Sequence, residues 1–416
     1  MRERLGGASR RRTNRNEEKN EEKLAKQPLF AVKICVGAKK NVSSQLEYSY
    51  IILVKIKDIA DALEMFAPLP LQDDFDNAGL QIGLTDAEVA GVLLCLDVTE
   101  AIVDEAIASG CNLIISHHPI IFKPLKRITG KNYIERLIIK ALANGIAIYS
   151  AHTNIDNAPQ GINRRLADMF GLNNVRILEP KNDSLLKLAV YVPASHADTL
   201  REALFAAGCG NIGNYDSCSY NVNGYGTFKA GEGCNPFCGK VGELHREEEV
   251  RIETVMPAYM RGRVISALLK SHPYEEPAYD IYPLKNSWDS VGTGIIGELP
   301  EECDALEFLG SVKEKLGVGC LRHTPLNGKR IKKVALCSGA GGSFAPAAMA
   351  SGADLYITGE ARYHDLFNYD GMIVAVVGHY ESEICVMDIF REIIEKACPG
   401  VKVQATTVNA NPVNYM

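Results

Sequence analysis

Short, wholly apolar runs recur along this chain, and each is closed by residues that carry an imidazole or a carboxylate. Asn112-Leu-Ile-Ile-Ser116 runs directly into His117, His118 and Pro119. Ile146-Ala-Ile-Tyr-Ser150 is followed by His152 and Asp156, Asp354-Leu-Tyr-Ile-Thr358 by Glu360 and His364, and Ile373-Val-Ala-Val-Val377 by His379 and Glu383. Gly91-Val-Leu-Leu-Cys-Leu96 is a further continuous apolar run and ends in Asp97. Runs of this kind, without polar alternation, predict buried strands. Helical spacing between them predicts a mainly parallel sheet covered by helices, an α/β fold. Such sheets bind ligands beyond the carboxyl ends of their strands, which places the chemistry at these strand ends.

The rest of the pattern divides the chain. Ile59–Phe66 has helical spacing with Asp58 as its expected N-cap, Ala101–Ser109 is an amphipathic helix stopped by Gly110, and a helix at 161–170 is stopped by Gly171. The middle differs: strand 185–192, helix 194–207, strand 250–255, helix 261–271 and strand 278–282 predict a small ferredoxin-like α+β unit. Residues 208–248 are rich in Gly, Asn, Ser and Cys, and no element is marked there. The strand-end motifs stop before this unit and resume after it, so it reads as an insertion. The expected organisation is an extension at 1–53, a first α/β lobe at 54–180, the inserted unit at 181–285 and a second α/β lobe at 286–416.

Charge is uneven. Residues 1–50 hold 12 of the 45 Lys and Arg and 6 of the 51 Asp and Glu, so they carry +6, while the body carries -12. An acidic body without a basic stripe argues against nucleic acid as the main partner, and no apolar run is long enough for a membrane span. The first 26 residues have little apolar content and are expected to be disordered. They lack the apolar core of a secretory signal. The twelve cysteines are scattered, several in apolar runs, which suits buried thiols in a reducing cytoplasm.

Imidazole nitrogen and carboxylate oxygen together select divalent transition metals. His379 and Glu383, four apart, share a face if a helix starts there. The adjacent rings of His117 and His118 are expected to diverge, which suits two metals better than one. The expected pairing is His118, Asp156 and Glu383 on one ion, and His117, His379 and bridging Glu383 on the other. Each motif alone is weak, since a histidine after a strand is commonly structural and i,i+4 pairs are common on surfaces. Their combination carries the reading. His196, His245, His272 and His323 are expected to be surface or packing residues. Ser338-Gly-Ala-Gly-Gly-Ser343 suits either a phosphate cradle or a close-packed turn. Cys234-x-x-x-Cys238 lacks the second pair of a zinc module and reads as a loop with two thiols.

Several stretches resemble the Nif-three-like family of dinuclear metal proteins, the GTP cyclohydrolase type two homologues. They are Asp76-Asn-Ala-Gly-Leu-Gln-Ile-Gly83, Leu96-Asp-Val-Thr99, Ser116-His-His-Pro119, His152-Thr-Asn-Ile-Asp156, Gly292-Thr-Gly-Ile-Ile-Gly297, Thr358-Gly-Glu360, Tyr363-His-Asp365, Gly378-His-Tyr-Glu-Ser-Glu383 and Asn409-Ala-Asn-Pro412. Tyr274–Ile281 is similar to the inserted PII- and CutA-like domain of the family's longer members. The resemblance implies two divalent ions per subunit held by His117, His118, Asp156, His379 and Glu383, and the mixed nitrogen and oxygen ligands fit Zn, Fe, Mn or Co. It implies a homohexamer whose sites face an inner cavity. It also implies a metal-dependent hydrolase acting on a nucleotide-like substrate, with His152, Glu360 and His364 as candidates for proton transfer or substrate orientation. A two-metal phosphoesterase and a metal-loaded regulatory or scaffold protein are the alternative expectations.

Overall fold

The computed structural model describes residues 34–36, 50–367, 369–414 and 416. The N-terminal charge runs lie outside these residues. Strand β1 (Ile34–Val36) pairs antiparallel with β2 (Tyr50–Ile52), and the two form a sheet of their own. Removing residues 1–50 is therefore expected to leave the thermal midpoint within about 2 °C of the full chain; a larger fall in a melting experiment contradicts this.

The first large layer begins with helix α1 (Ile56–Phe66), which starts earlier than the sequence suggests. Ile56 belongs to its apolar face with Ile59 and Leu63, and all three are buried. Lys55 is the cap residue, and Asp58, inside the first turn, accepts the Lys55 N–H at 2.8 Å. Strands β3 (Gly79–Ile82), β4 (Val92–Cys95), β5 (Leu113–Ser116) and β6 (Ala147–Ser150) follow. Helix α2 (Glu100–Ser109) joins β4 to β5, and α3 (Tyr133–Ala143) joins β5 to β6. The Thr99 hydroxyl caps α2 by accepting from the Ile102 N–H. The short α4 (Thr153–Asp156) and α5 (Ile162–Phe170) come next.

In the middle, β7 (Asn173–Lys181) precedes β8 (Leu185–Pro193), α6 (Ala197–Ala206), β9 (Tyr220–Lys229), β10 (Leu244–Pro257), α7 (Arg261–Ser271) and β11 (Tyr279–Leu284). Strands β11-β8-β10-β9 form one antiparallel sheet in that order. Within 208–248, where the sequence marks no element, lies β9. It pairs along ten positions with an extended β10, and it escapes notice because nearly all its side chains are exposed.

The last part holds β12 (Trp288–Asp304), α8 (Ala305–Lys315), β13 (Arg322–His323), β14 (Arg330–Cys337), α9 (Ala345–Ala350), β15 (Leu355–Thr358), β16 (Ile373–Val376), α10 (His379–Glu383), α11 (Val386–Ala397) and β17 (Val403–Ala405). Two sheets with parallel centres result: β17-β4-β5-β6-β3 and β13-β16-β15-β14-β12-β7. Each borrows an edge from the other part of the chain. β7 pairs with β12, and β17 pairs with β4.

Burial explains the apolar runs. Leu94, Ile115 and Tyr149 face a core shared with Leu336, Ile357, Ala375 and Phe390 from the other part of the chain. Alternate residues Leu93, Ile114 and Ile148 pack outward with Ile102 and Leu137 of α2 and α3. A strand covered on both faces cannot alternate with polar residues. The cysteines from Cys95 onward are free thiols, and no helix among the described residues is long and apolar enough to cross a membrane.

Candidate metal centre

The shared core brings the carboxyl ends of β4, β5 and β6 towards those of β14, β15 and β16. His117 and His118 leave β5 with both backbone N–H groups donating to the Leu96 carbonyl. The Ser116 and Ser150 hydroxyls, 2.8 Å apart and buried, tie the ends of β5 and β6. On the facing side, Gly378 has φ 108 and lets the chain turn from β16 straight into α10. His379 and Glu383 then lie on one helical face, with Nε2 and Oε2 3.0 Å apart.

The five expected ligands gather as two sets around Glu383. His117 Nε2 lies 3.7 Å from Glu383 Oε1 and 3.7 Å from Asp156 Oδ2. His118 Nε2 lies 3.1 Å from Glu383 Oε2 and 3.3 Å from His379 Nε2. The geometry thus pairs His117 with Asp156 and His118 with His379, the reverse of the pairing expected from the sequence. Glu383 faces both sets, one oxygen to each. His152 stands closer to the donors than a pure proton carrier needs, since a ring nitrogen of it joins those of His117 and His118 within 4.8 Å. Glu360 Oε1 lies 3.0 Å from His379 Nδ1 and so orients that ring. His364 is not brought in: it is exposed on a 3-10 turn, with ring contacts to Tyr363 and Phe367.

Every ring is fixed from behind. His117 Nδ1 meets the Ala151 carbonyl at 2.8 Å, His118 Nδ1 meets Asp97 at 2.8 Å and His152 Nδ1 meets Asp76 at 2.7 Å. A carbonyl or an ionised carboxylate only accepts, so each Nδ1 carries a proton and each Nε2 is turned into the cluster. This is the arrangement that orients histidines on metals. Asp97 and Asp76 went unassigned in the sequence, although Asp97 closes the β4 apolar run just as the histidines close theirs.

The donors fit divalent cations. Buried His117 Nε2 has no hydrogen-bond partner within reach, and buried Glu383 Oε2 meets only imidazole nitrogens, at 3.0–3.1 Å, a costly arrangement for polar atoms unless a proton or cation is shared. Acceptors packed 3.0–3.3 Å apart need a proton or a cation between them. Burial alone would lower His118, but the Asp97 and Glu383 carboxylates win and raise it to about 10. Burial would raise Glu383, but the surrounding imidazoles hold it well below the usual range. Burial, then the Glu383 charge, raises Asp156. Burial opposes ionisation of Asp76 too, yet His152 and Thr153 bring it to about 2.

A pH dependence follows. His118 lies above the ordinary imidazole value of 6.5. In metal-stripped protein its stabilising contribution is fully present below about pH 6.5 and is lost as pH rises through about 10. A cation at Nε2 displaces that proton, so metal uptake at neutral pH should release acid and tighten as pH rises. Calorimetry in two buffers of different ionisation enthalpy should show the release; identical heats in both contradict it.

The cluster opens on a cavity of about 880 Å³ whose walls include His118, His379, Asp97, Arg322, Arg362 and Asn411. In the turn at 338–343, Ala340, Gly342 and Ser343 line this cavity, while the first two N–H groups are used inside the fold. The Gly339 N–H donates to Ser382 Oγ at 2.9 Å, its carbonyl accepts from the Glu360 N–H, and the Ser338 N–H is taken by Asn163.

The profile of the Duf34/NIF3 (NGG1p interacting factor 3) family matches residues 54–412. A protein of Halalkalibacterium halodurans named GTP cyclohydrolase 1 type 2 homolog is 40% identical over 365 residues, covering 86% of this chain and 98% of that one. The Bacillus subtilis protein of the same name is 39% identical over 368 residues, covering 86% and 98%. Among solved structures, a Bacillus cereus protein related to NIF3 superposes with a TM-score of 0.76 at 39% identity, covering 88% of this chain and all of that one. With its candidate metal-binding residues gathered inside the matched span, this chain belongs to the Duf34/NIF3 family.

Proposed function

We propose that the chain is a dinuclear metal-dependent hydrolase acting on a nucleotide-like substrate, with GTP as the first candidate. The observation that carries this is the open cavity: its lining includes His118 and His379 together with Arg322 and with Arg362, which is paired to Asp365. Reactive donors and anion-binding groups then share one space, as a phosphorylated substrate requires. The relatives' names point the same way.

Two divalent ions held by His117, His118, Asp156, His379 and Glu383 would activate water and offset negative charge developing on the substrate. The protein's own part is orientation and proton handling. Asp97, Asp76, Glu360 and the Ala151 carbonyl fix the imidazoles. His152, with Nδ1 bound to Asp76, presents a bare Nε2 that accepts a proton from an attacking water. In the GTP reaction, water adds at purine C8 and the C8–N9 bond breaks to leave a formamide. A second water then hydrolyses the formamide and releases formate.

Purified chain loaded with Zn, Mn or Fe should release formate from GTP with turnover. No turnover with any of these metals in fully loaded protein overturns the proposal. The arginines also favour phosphoester hydrolysis as a second reading, which predicts phosphate or nucleoside monophosphate and no formate. The assembly belonging to this proposal is a homohexamer with inward-facing sites, read out by the mass of the particle in solution.

A further inference from the structure

A second set of metal-binding donors lies in the antiparallel sheet, on the connection between β9 and β10. Cys238 Sγ, a ring nitrogen of His245 and a carboxylate oxygen of Glu247 all lie within 4.8 Å of one another. His245 Nε2 and Glu247 Oε2 are 2.8 Å apart. The sequence offered no reason to join these residues, because Cys238 lacks a paired Cys-x-x-Cys and His245 sits in a charged run. The sheet joins them: His245 and Glu247 are two apart on β10 and project from the same face.

The surroundings are built to keep the three together. Gly239 has φ 77, and a Cβ there would stand 2.8 Å from His245 Cγ. Only glycine lets the backbone pass so close over the imidazole, and that passage delivers the neighbouring Cys238 thiol. Phe228, opposite His245 on β9, packs its ring 5.3 Å away. The Tyr274 hydroxyl lies 3.8 Å from Cys238 Sγ and donates to Glu249 at 2.8 Å. The donors keep an entry path, since the His245 and Glu247 side chains are 28% and 29% exposed.

Thiolate, imidazole and carboxylate form the donor mixture of a zinc-class cation. We infer that Cys238, His245 and Glu247 bind one such ion, separate from the dinuclear centre. The ion fastens the β9–β10 connection to the sheet beside a cavity of about 650 Å³ lined by Phe228, Phe237, Tyr274 and Arg251. Three protein donors leave one position for water or a further ligand.

Cobalt separates this site from the dinuclear centre, whose donors are nitrogen and oxygen alone. Cobalt titrated into the full-length reduced chain should give a sulfur-to-metal charge-transfer band saturating at about one ion per chain. The band should persist in Glu383→Gln, vanish in Cys238→Ser, and need at least about tenfold more cobalt in His245→Ala. Cys320→Ser, which alters an exposed thiol elsewhere, should leave it unchanged. Absence of the band in excess cobalt, with circular dichroism showing folded protein, overturns the inference. So does a band of full intensity in folded Cys238→Ser.

Discussion

Glu383→Gln is expected to weaken divalent-ion binding by about a hundredfold or more at both positions, exceeding the loss usually seen for outer-shell partners. One carboxylate faces both donor sets, its two oxygens 3.7 Å from His117 Nε2 and 3.0–3.1 Å from His379 and His118 Nε2. The amide keeps the shape but loses the charge and one acceptor. His379→Ala should act unevenly, weakening the His118 position while sparing the His117–Asp156 position. Metal titration with a competing chelator reads both results. Glu383→Gln protein that holds two ions as tightly as the parent would remove Glu383 from the centre.

Gly339→Ala is expected to damage the site without touching a ligand. A Cβ at this position would stand 2.1 Å from Glu383 Oε1, and the backbone φ is 59. The methyl group must therefore displace the carboxylate. Affinity should fall about 10–100-fold, in the range seen when ligand orientation is disturbed. The left-handed backbone should add a stability loss of about 1–2 kcal/mol. Chelator competition and denaturant unfolding measure the two effects separately. Unchanged metal affinity would mean that Glu383 has room to move and need not sit where it does.

The glycine's role shows where sequence reasoning stops. The strands were legible because Leu93, Leu94, Ile114 and Ile115 are each covered, alternate ones by different layers, and such strands have no polar face to blur the pattern. The gathering of donor side chains was legible because strand ends are where this architecture presents side chains to a shared space. Which imidazole faces which carboxylate was not legible. It depends on the Ala151 carbonyl and Asp97, which hold two adjacent rings from different sides. His364 followed the same strand-end rule as His152, yet a 3-10 turn leaves it exposed. β9 was hidden because it carries Gly224 and Gly226 and exposes nearly every side chain. The exchange of β7 and β17 between sheets has no local signature, since those pairings span more than a hundred residues.

On the proposed function, donors from the two distant parts of the chain surround two cations. Anomalous diffraction from crystals of the metal-loaded chain, collected at the absorption edge of the bound metal, tests it most directly. The account predicts two peaks at this centre in each chain. One should lie among His117, Asp156 and Glu383, and the other among His118, His379 and Glu383. A metal-saturated chain with no peak between the β5 and β16 strand ends would contradict it.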